Sequence, residues 1–405
     1  MFKRLIVLAA CCLLPISVQA NGYFIPEQGV KAVGMGNAFA AVADNASANW
    51  FNPAGLSFQA NNISVSGDII APTNEYELNG ATYGAKKKLF VVPQSYIRYG
   101  SEDSKFSFGL GINSPFGLST DWGSSNAPFS QIAAGADSVT FSQIEGIHIN
   151  PNVAYKINDH LSVAVGASYY NLFKVHLDNQ ALTIGGNGDG VGGNAALLYK
   201  ENNWSFGVSY RSSVKVDVKG TAVGRAALAG FGLSGVGANV KTSLTLPDLL
   251  TGAVSFKPKD DWLISFQADW INWKKFNQIV LKYDPSLLNL ATGSSTTIPE
   301  QWKATITYRV GMAWDYSEHT QLRVGYTYDP TPTNSKDLTP RLPGADRQLV
   351  SFGYGTQLSD QLSVDMAYAY VWLNNRTLGA PAKAIYQGLY KSSVHIVSLG
   401  MDYHF

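Results

Sequence analysis

Past residue 20 the sequence has no cysteine; its two, Cys11 and Cys12, both lie near the start. Disulfide bridges, thiol nucleophiles and cysteine metal centres are therefore excluded from the rest of the chain. Charge is sparse, at 15% Asp, Glu, Lys and Arg, where a soluble domain typically carries about 25%. Neither sign prevails: the formal net charge is +1, which speaks against nucleic acid or another polyanion as partner. Long apolar runs are missing too. Beyond residue 20 no uncharged apolar stretch reaches the roughly 18 residues of a membrane helix. The small-residue run 226–240 is too short and carries four glycines.

The first 20 residues have an explanation of their own. Lys3 and Arg4 precede an apolar run over 5–16, and 18–20 supply the cleavage positions. This is the pattern of a secretory signal peptide, with the mature chain expected to begin at Asn21. Cleavage before Cys11, as in a lipoprotein, would leave about six apolar residues, short of the usual 7–15.

In the exported part, period-two alternation recurs. Over 302–316 the even positions are Trp, Ala, Ile, Tyr, Val, Met, Trp and Tyr; 106–112, 161–169, 204–210, 262–270, 322–328 and 362–372 alternate in the same way. Successive strand side chains point to opposite faces, so each segment has one apolar face and one polar or small face. Short polar turns stand at 100–105, 157–160, 200–203, 257–261, 316–320 and 358–361. Long connections are expected on the other side, roughly at 74–89, 114–139, 177–190, 220–240, 283–300, 330–345 and 373–390. Together they join fourteen strands. Short turns on one side, long loops on the other and an even strand count describe an all-β chain: a 14-stranded antiparallel transmembrane β-barrel of the outer-membrane kind. Trp204, Trp262, Trp302, Trp314 and Trp372 near strand ends suit its interfacial girdles. A soluble β-sandwich alternates as well, but it predicts neither the turn asymmetry nor an aromatic outer face.

The chain ends on VHIVSLGMDYHF, in mid-strand. A bare half-apolar edge invites aggregation, and closure removes it. The last strand is expected to pair with the first, near 63–71, with Val397, Leu399, Met401, Tyr403 and Phe405 facing lipid. Residues 21–60 do not alternate and are rich in small side chains. A barrel of this width cannot fill its own lumen with side chains. The expected organisation is a signal peptide (1–20), an N-terminal hatch or plug inside the lumen (21–60) and the barrel (61–405).

Motifs for chemistry are thin. GMGNAF (34–39) lacks the strand and the spacing of a nucleotide loop. GGNGDGVGGN (185–194) occurs once, with its acid misplaced for a calcium repeat, and reads as an extracellular glycine loop. The histidines show no metal-ligand spacing and no GxSxG elbow is present. No cofactor, metal or catalytic residue is expected. Two features carry more. Asn113, Ser114, Pro115, Phe116 and Gly117 end a strand with a proline, and folding about Asp103 sets Pro93 roughly opposite 111–113. Proline cannot donate to a ladder, so two at one height mean a gap in the wall or two loop-proximal strand ends. The loop at 225–240 offers Leu228, Phe231, Leu233 and Val236 to water, which is costly unless they pack together or bind something apolar.

The order of NGYFIPEQG, NWFNPAGL, FSFGLGINSPFGLSTDW, YRSSVKVDVKG, LTLPDLLTGAV, WINWKKFNQI and LRVGYTYDPTPT along the mature chain resembles the FadL family. These are outer-membrane transporters of long-chain fatty acids and other hydrophobic compounds, with relatives for aromatic hydrocarbons. Asn52, Pro53 and Ala54 and the stretch 210–220 carry the resemblance best. It implies a lumen blocked by an N-terminal hatch and a kinked third strand, matched by 113–117, that opens sideways to the membrane. It implies that Tyr23, with Phe24 beside it, reaches the binding pocket and rearranges with ligand. The loops at 177–190 and 220–240 would form an apolar entry groove. Fatty-acid members present basic groups to the carboxylate. Arg309 and Arg323 point inward by parity and Lys174 is near a loop, but no motif fixes which of them serves here.

The expected function is passive transport of hydrophobic molecules, fatty acids or aromatic hydrocarbons, by a monomer in a bacterial outer membrane. Outer loops would capture the cargo, the hatch would hold it, and it would leave sideways past Pro93 and Pro115. The surroundings would be lipid and lipopolysaccharide, and Phe405 would be read by the barrel assembly machinery, as outer-membrane barrels commonly are. The strand number falls short of the roughly twenty-two of plugged active transporters, so no energy source is expected. A general porin, an outer-membrane lipid hydrolase, and an adhesin or phage receptor are the rival readings.

Overall fold

The structure is a computed structural model that describes residues 22–101 and 103–405; the expected signal peptide and Asn21 lie outside the described residues. The alternating segments form a closed antiparallel barrel of 14 strands. The wall begins with β1 (Asn62–Leu78), β2 (Phe90–Tyr99), β3 (Phe106–Asn113, resuming over Leu118–Asp121) and β4 (Phe141–Lys156). β5 (Leu161–Asp178), β6 (Leu182–Glu201) and β7 (Trp204–Arg211, then Val214–Gly224) follow. Next come β8 (Gly237–Leu246, then Leu249–Lys259), β9 (Trp262–Ile271, then Gln278–Tyr283) and β10 (Ser295–Pro299, then Thr305–Ser317). β11 (Thr320–Asp329), β12 (Arg347–Gln357), β13 (Leu362–Leu373) and β14 (Gly388–His404) complete it. β14 returns to β1 in a ladder from Asn62↔His404 to Glu77↔Leu389, so neither strand is left as a free edge.

The two faces of the wall follow the sequence pattern. On and just past β14, Val397, Leu399, Met401, Tyr403 and Phe405 are exposed, whereas Ile396, Ser398 and Asp402 are buried. An outward apolar band of this kind is stable in hydrocarbon, where the closed ladder satisfies the backbone polar groups. The six short turns stand where the sequence sets them, as at 157–160 between β4 and β5.

Residues 22–60 lie inside the bore, bonded to strands on several sides of it. Asn49 Nδ2 donates to Asn150 O of β4 at 2.9 Å, and Gln267 Oε1 of β9 accepts from the Phe39 and Ala40 amides at 3.1 and 3.0 Å. Ser351 Oγ of β12 accepts from the Gly36 amide at 3.1 Å, and Glu27 pairs with Arg347 of β12 at 2.5 Å. Asn52 Nδ2 donates to Leu197 O of β6 at 3.0 Å while its Oδ1 accepts from the Ala54 amide at 3.1 Å, starting a short turn of helix at Pro53. The segment approaches β11 so closely that a Cβ at Gly325 would collide with the Gly36 backbone; Gly36 itself has φ +62°. Two residues without side chains meet where side chains would not fit.

One expected loop is sheet. β5 and β6 run through 177–190 with only 179–181 between them, and GGNGDGVGGN lies in β6, paired with β7 from Asp217↔Asp189 to Gly224↔Leu182. Glycine carries no β-forming signal, yet here its bareness serves the pairing: a Cβ at Gly186 would come within 2.6 Å of Lys219 O on β7. The apolar loop is likewise shorter than expected, running from the end of β7 at Gly224 to Gly237.

Candidate functional site

Three breaks in the wall converge on one tyrosine. β3 is interrupted at 114–117, β9 at 272–277 and β10 at 300–304. At each break an aromatic ring turns into the bore: Phe116, then Trp273 and Phe276, then Trp302. Their centroids lie 5.8, 5.3, 5.1 and 5.9 Å from that of Tyr23, which is 2% exposed. Such tilted and edge-on pairs suit the ring quadrupoles. The Tyr23 hydroxyl donates to Thr245 O at 3.3 Å. Burial, with Glu300 nearby, holds its phenol well above the usual range.

Above this cage opens a mainly apolar pocket of about 120 Å³. Its walls include Ile144 of β4, Val175 of β5, Val218 of β7, Leu244 of β8 and Leu342 of the loop after β11, with Tyr23, Phe276 and Trp302 at its base. It adjoins an outer groove of about 600 Å³, lined by Leu228 and Phe231 of the apolar loop, Ile298 of β10 and the loop residues Lys336 and Lys383. Leu177, Ile184, Leu281, Leu338 and Arg341 line both spaces. Glu300, in the break beyond the lipid-facing part of β10, lines the inner pocket and accepts from Trp302 Nε1 at 3.1 Å. Burial pushes its carboxyl up to about 7, against the pull of Arg341 and the Trp302 bond.

Beside the cage the barrel wall loosens. The β2–β3 ladder ends at Ser95↔Ile112; beyond it the two sides are next joined at Asp121, which pairs with Lys88 at 3.0 Å and accepts from the Lys86 amide at 2.7 Å. Pro93, opposite Gly67 of β1, has no ladder partner on β3; by register it faces Ser114, slightly beyond the expected 111–113. The free edge of the β3 break is covered from inside. The Ile25 amide donates to Pro115 O at 2.8 Å and the Gly117 amide to Tyr23 O at 2.9 Å, with Phe24 and Phe116 bridged between them. Gln28 completes the cover: its Nε2 donates to Ser114 O at 3.3 Å and its Oε1 accepts from Asn113 Nδ2 at 2.8 Å.

The remaining candidate residues scatter. Lys174 is exposed at a bulge between β5 and β6 and lines neither space, because the extra residues there turn it outward. Arg309 and Arg323 do point into the bore, as parity requires, but both are engaged: Arg309 Nε meets Asp269 at 2.6 Å and Arg323 is paired with Asp365. Neither reaches the inner pocket. Leu233 is buried beneath its loop rather than in the groove. Trp302, expected in an interfacial girdle, is 5% exposed at the pocket base, since β10 has broken before it and resumes only at Thr305. Trp273, Phe276, Glu300 and Arg341 were not singled out from the sequence; the lapse of alternation through WKKFN (273–277) was the available signal.

A family model described as outer membrane protein transport protein (OMPP1/FadL/TodX) matches residues 11–405. An outer membrane protein of Neisseria meningitidis serogroup B is 26% identical, covering 100% of this chain and 98% of its own length. A long-chain fatty acid transport protein of Escherichia coli O6:H1 is 22% identical, covering 92% of this chain and 91% of itself. Among solved structures, a FadL homologue of Pseudomonas aeruginosa superposes with a TM-score of 0.81 at 19% identity, over 95% of this chain and 100% of that one. At that identity the likeness speaks to fold alone.

Proposed function

The chain belongs to the OMPP1/FadL/TodX family of outer-membrane proteins that transport hydrophobic compounds, and from that premise we propose a passive route that ends sideways in the bilayer. Cargo is captured in the outer groove by Leu228 and Phe231, held in the inner pocket above Tyr23, and released between β2 and β3 past Pro93 and Pro115. Residues 22–60 act as the hatch, which forces the cargo off the barrel axis. The name of the E. coli relative supports long-chain fatty acids as one substrate class; the apolar pocket suits aromatic hydrocarbons equally. A dry path matters because hydrating each methylene costs about 0.8 kcal/mol.

One observation carries this reading. The segment that floors the pocket with the Tyr23 ring is the same one whose backbone covers the β3 break. Cargo pressing on Tyr23 therefore acts on the cover of the side window. The experiment is to replace 113–117 with a regular strand sequence, so that β2 and β3 pair throughout, and to measure uptake of radiolabelled oleate and of toluene. Uptake of both should fall to that of cells lacking the protein. Wild-type rates for both would remove the lateral step.

A further inference from the structure

The inner pocket is apolar over most of its surface but holds, among the described residues, one carboxylate, which has no ion-pair partner there. Glu300 Oε2 accepts from Trp302 Nε1, while Oε1 has no hydrogen-bond partner among the described residues. Arg341 is a cation of the same pocket. Its Nε donates to Thr339 Oγ1 at 3.2 Å, no carboxylate stands within ion-pair distance of it among the described residues, and it also lines the outer groove. The other charged groups nearby are His176 of β5, held by Asp178 at 2.8 Å, and, in the outer groove, Asp337 and Lys336 on the loop after β11 and Lys383, which is paired with Asp137. Ser142 Oγ of β4 and Thr242 Oγ1 of β8 face the pocket region with no partner among the described residues. The inner space thus offers an acid and unused hydroxyls, and the cation stands at its junction with the groove.

We propose that this pocket sorts amphiphiles by head group: Glu300 accepts a hydrogen bond from a neutral head such as a hydroxyl, phenol or undissociated carboxyl, and repels an ionised carboxylate, which Arg341 holds at the mouth. The inference rests on reading the pocket as the transport site. Two carboxylates cannot both stay ionised side by side in an apolar space, so a fatty acid passes inward only when it or Glu300 carries the proton. That Glu300 titrates near neutrality places this sorting in the range where it matters. Hydrophobic alcohols and phenols pass at any pH, and free fatty acids pass better as the pH falls.

The test is equilibrium binding of radiolabelled oleate and oleyl alcohol to the detergent-purified full chain at pH 5.5 and 8.5, for wild type, Glu300→Gln and Arg341→Gln. Glutamine keeps the size of Glu300 and its bond from Trp302, so the fold has no reason to fail, and alcohol binding reports an intact pocket in each variant. At pH 8.5 Glu300→Gln should bind oleate about tenfold more tightly than wild type, and Arg341→Gln about tenfold more weakly. The loss of oleate affinity between pH 5.5 and 8.5 should be smaller in Glu300→Gln than in wild type, and alcohol affinity should change less than about threefold throughout. Alcohol binding with no gain of oleate affinity in Glu300→Gln overturns the sorting role alone. Failure of wild type to bind either ligand overturns the transport-site reading, and the sorting with it.

Discussion

A single absent methyl group decides whether the N-terminal segment can lie against β11. Gly325 and Gly36 meet backbone to backbone, and the collision a Cβ would cause at Gly325 is with main chain, which cannot swing aside. Gly325→Ala should therefore lower stability by about 1–3 kcal/mol, the usual cost of overpacking. Gly252, where an added Cβ meets nothing within 4 Å, is the control, and Gly252→Ala should stay within about 0.5 kcal/mol. Urea unfolding in lipid vesicles measures both; equal effects would mean that the contact can relax. At this scale the sequence was only partly legible. Parity turned Arg309 and Arg323 inward, but parity says nothing of Asp269 and Asp365, which come from other strands to neutralise them. Glu300 and Arg341 are brought to one pocket from β10 and a loop about forty residues on, a proximity no local pattern encodes.

At the scale of elements, the breaks in the strands build the site. The one at 114–117 was readable because proline announces a missing donor. Those in β9 and β10 contain no proline, and counting Trp302 along the alternation set it on the outer face, where the break has in fact turned it inward. Glycine misled in the other direction, giving a loop where β6 is continuous strand. The non-alternating start, by contrast, was legible as something other than wall: residues 22–60 hold only short helical turns ahead of β1. With Asn49, Asn52, Gly36 and Glu27 all fastened to the strands, the bore should not conduct. In planar bilayers the protein should show no steady ion current. A large constant conductance, as from a general porin, would contradict a closed bore.

At the scale of the whole molecule, the barrel was the most legible feature. Alternation, turn asymmetry and an apolar last strand all demand the same closed cylinder, so an error in one segment did not spread. What no sequence pattern shows is that the chain's beginning, its third strand and its ninth and tenth strands share a wall at one height. That assembly makes the pocket floor and the cover of the β3 break one piece, and it is the claim on which the proposed lateral release depends. Phe24 and Phe116 form a non-hydrogen-bonded antiparallel pair, whose Cα atoms lie typically about 4.5 Å apart, within disulfide reach. Past residue 20 the chain has no cysteine to interfere. The most direct measurement is therefore oleate uptake by cells carrying Phe24→Cys with Phe116→Cys, before and after reduction. The disulfide-locked protein should take up no more than cells without it and should recover when the bond is reduced; uptake at the wild-type rate with the bond closed would contradict the account.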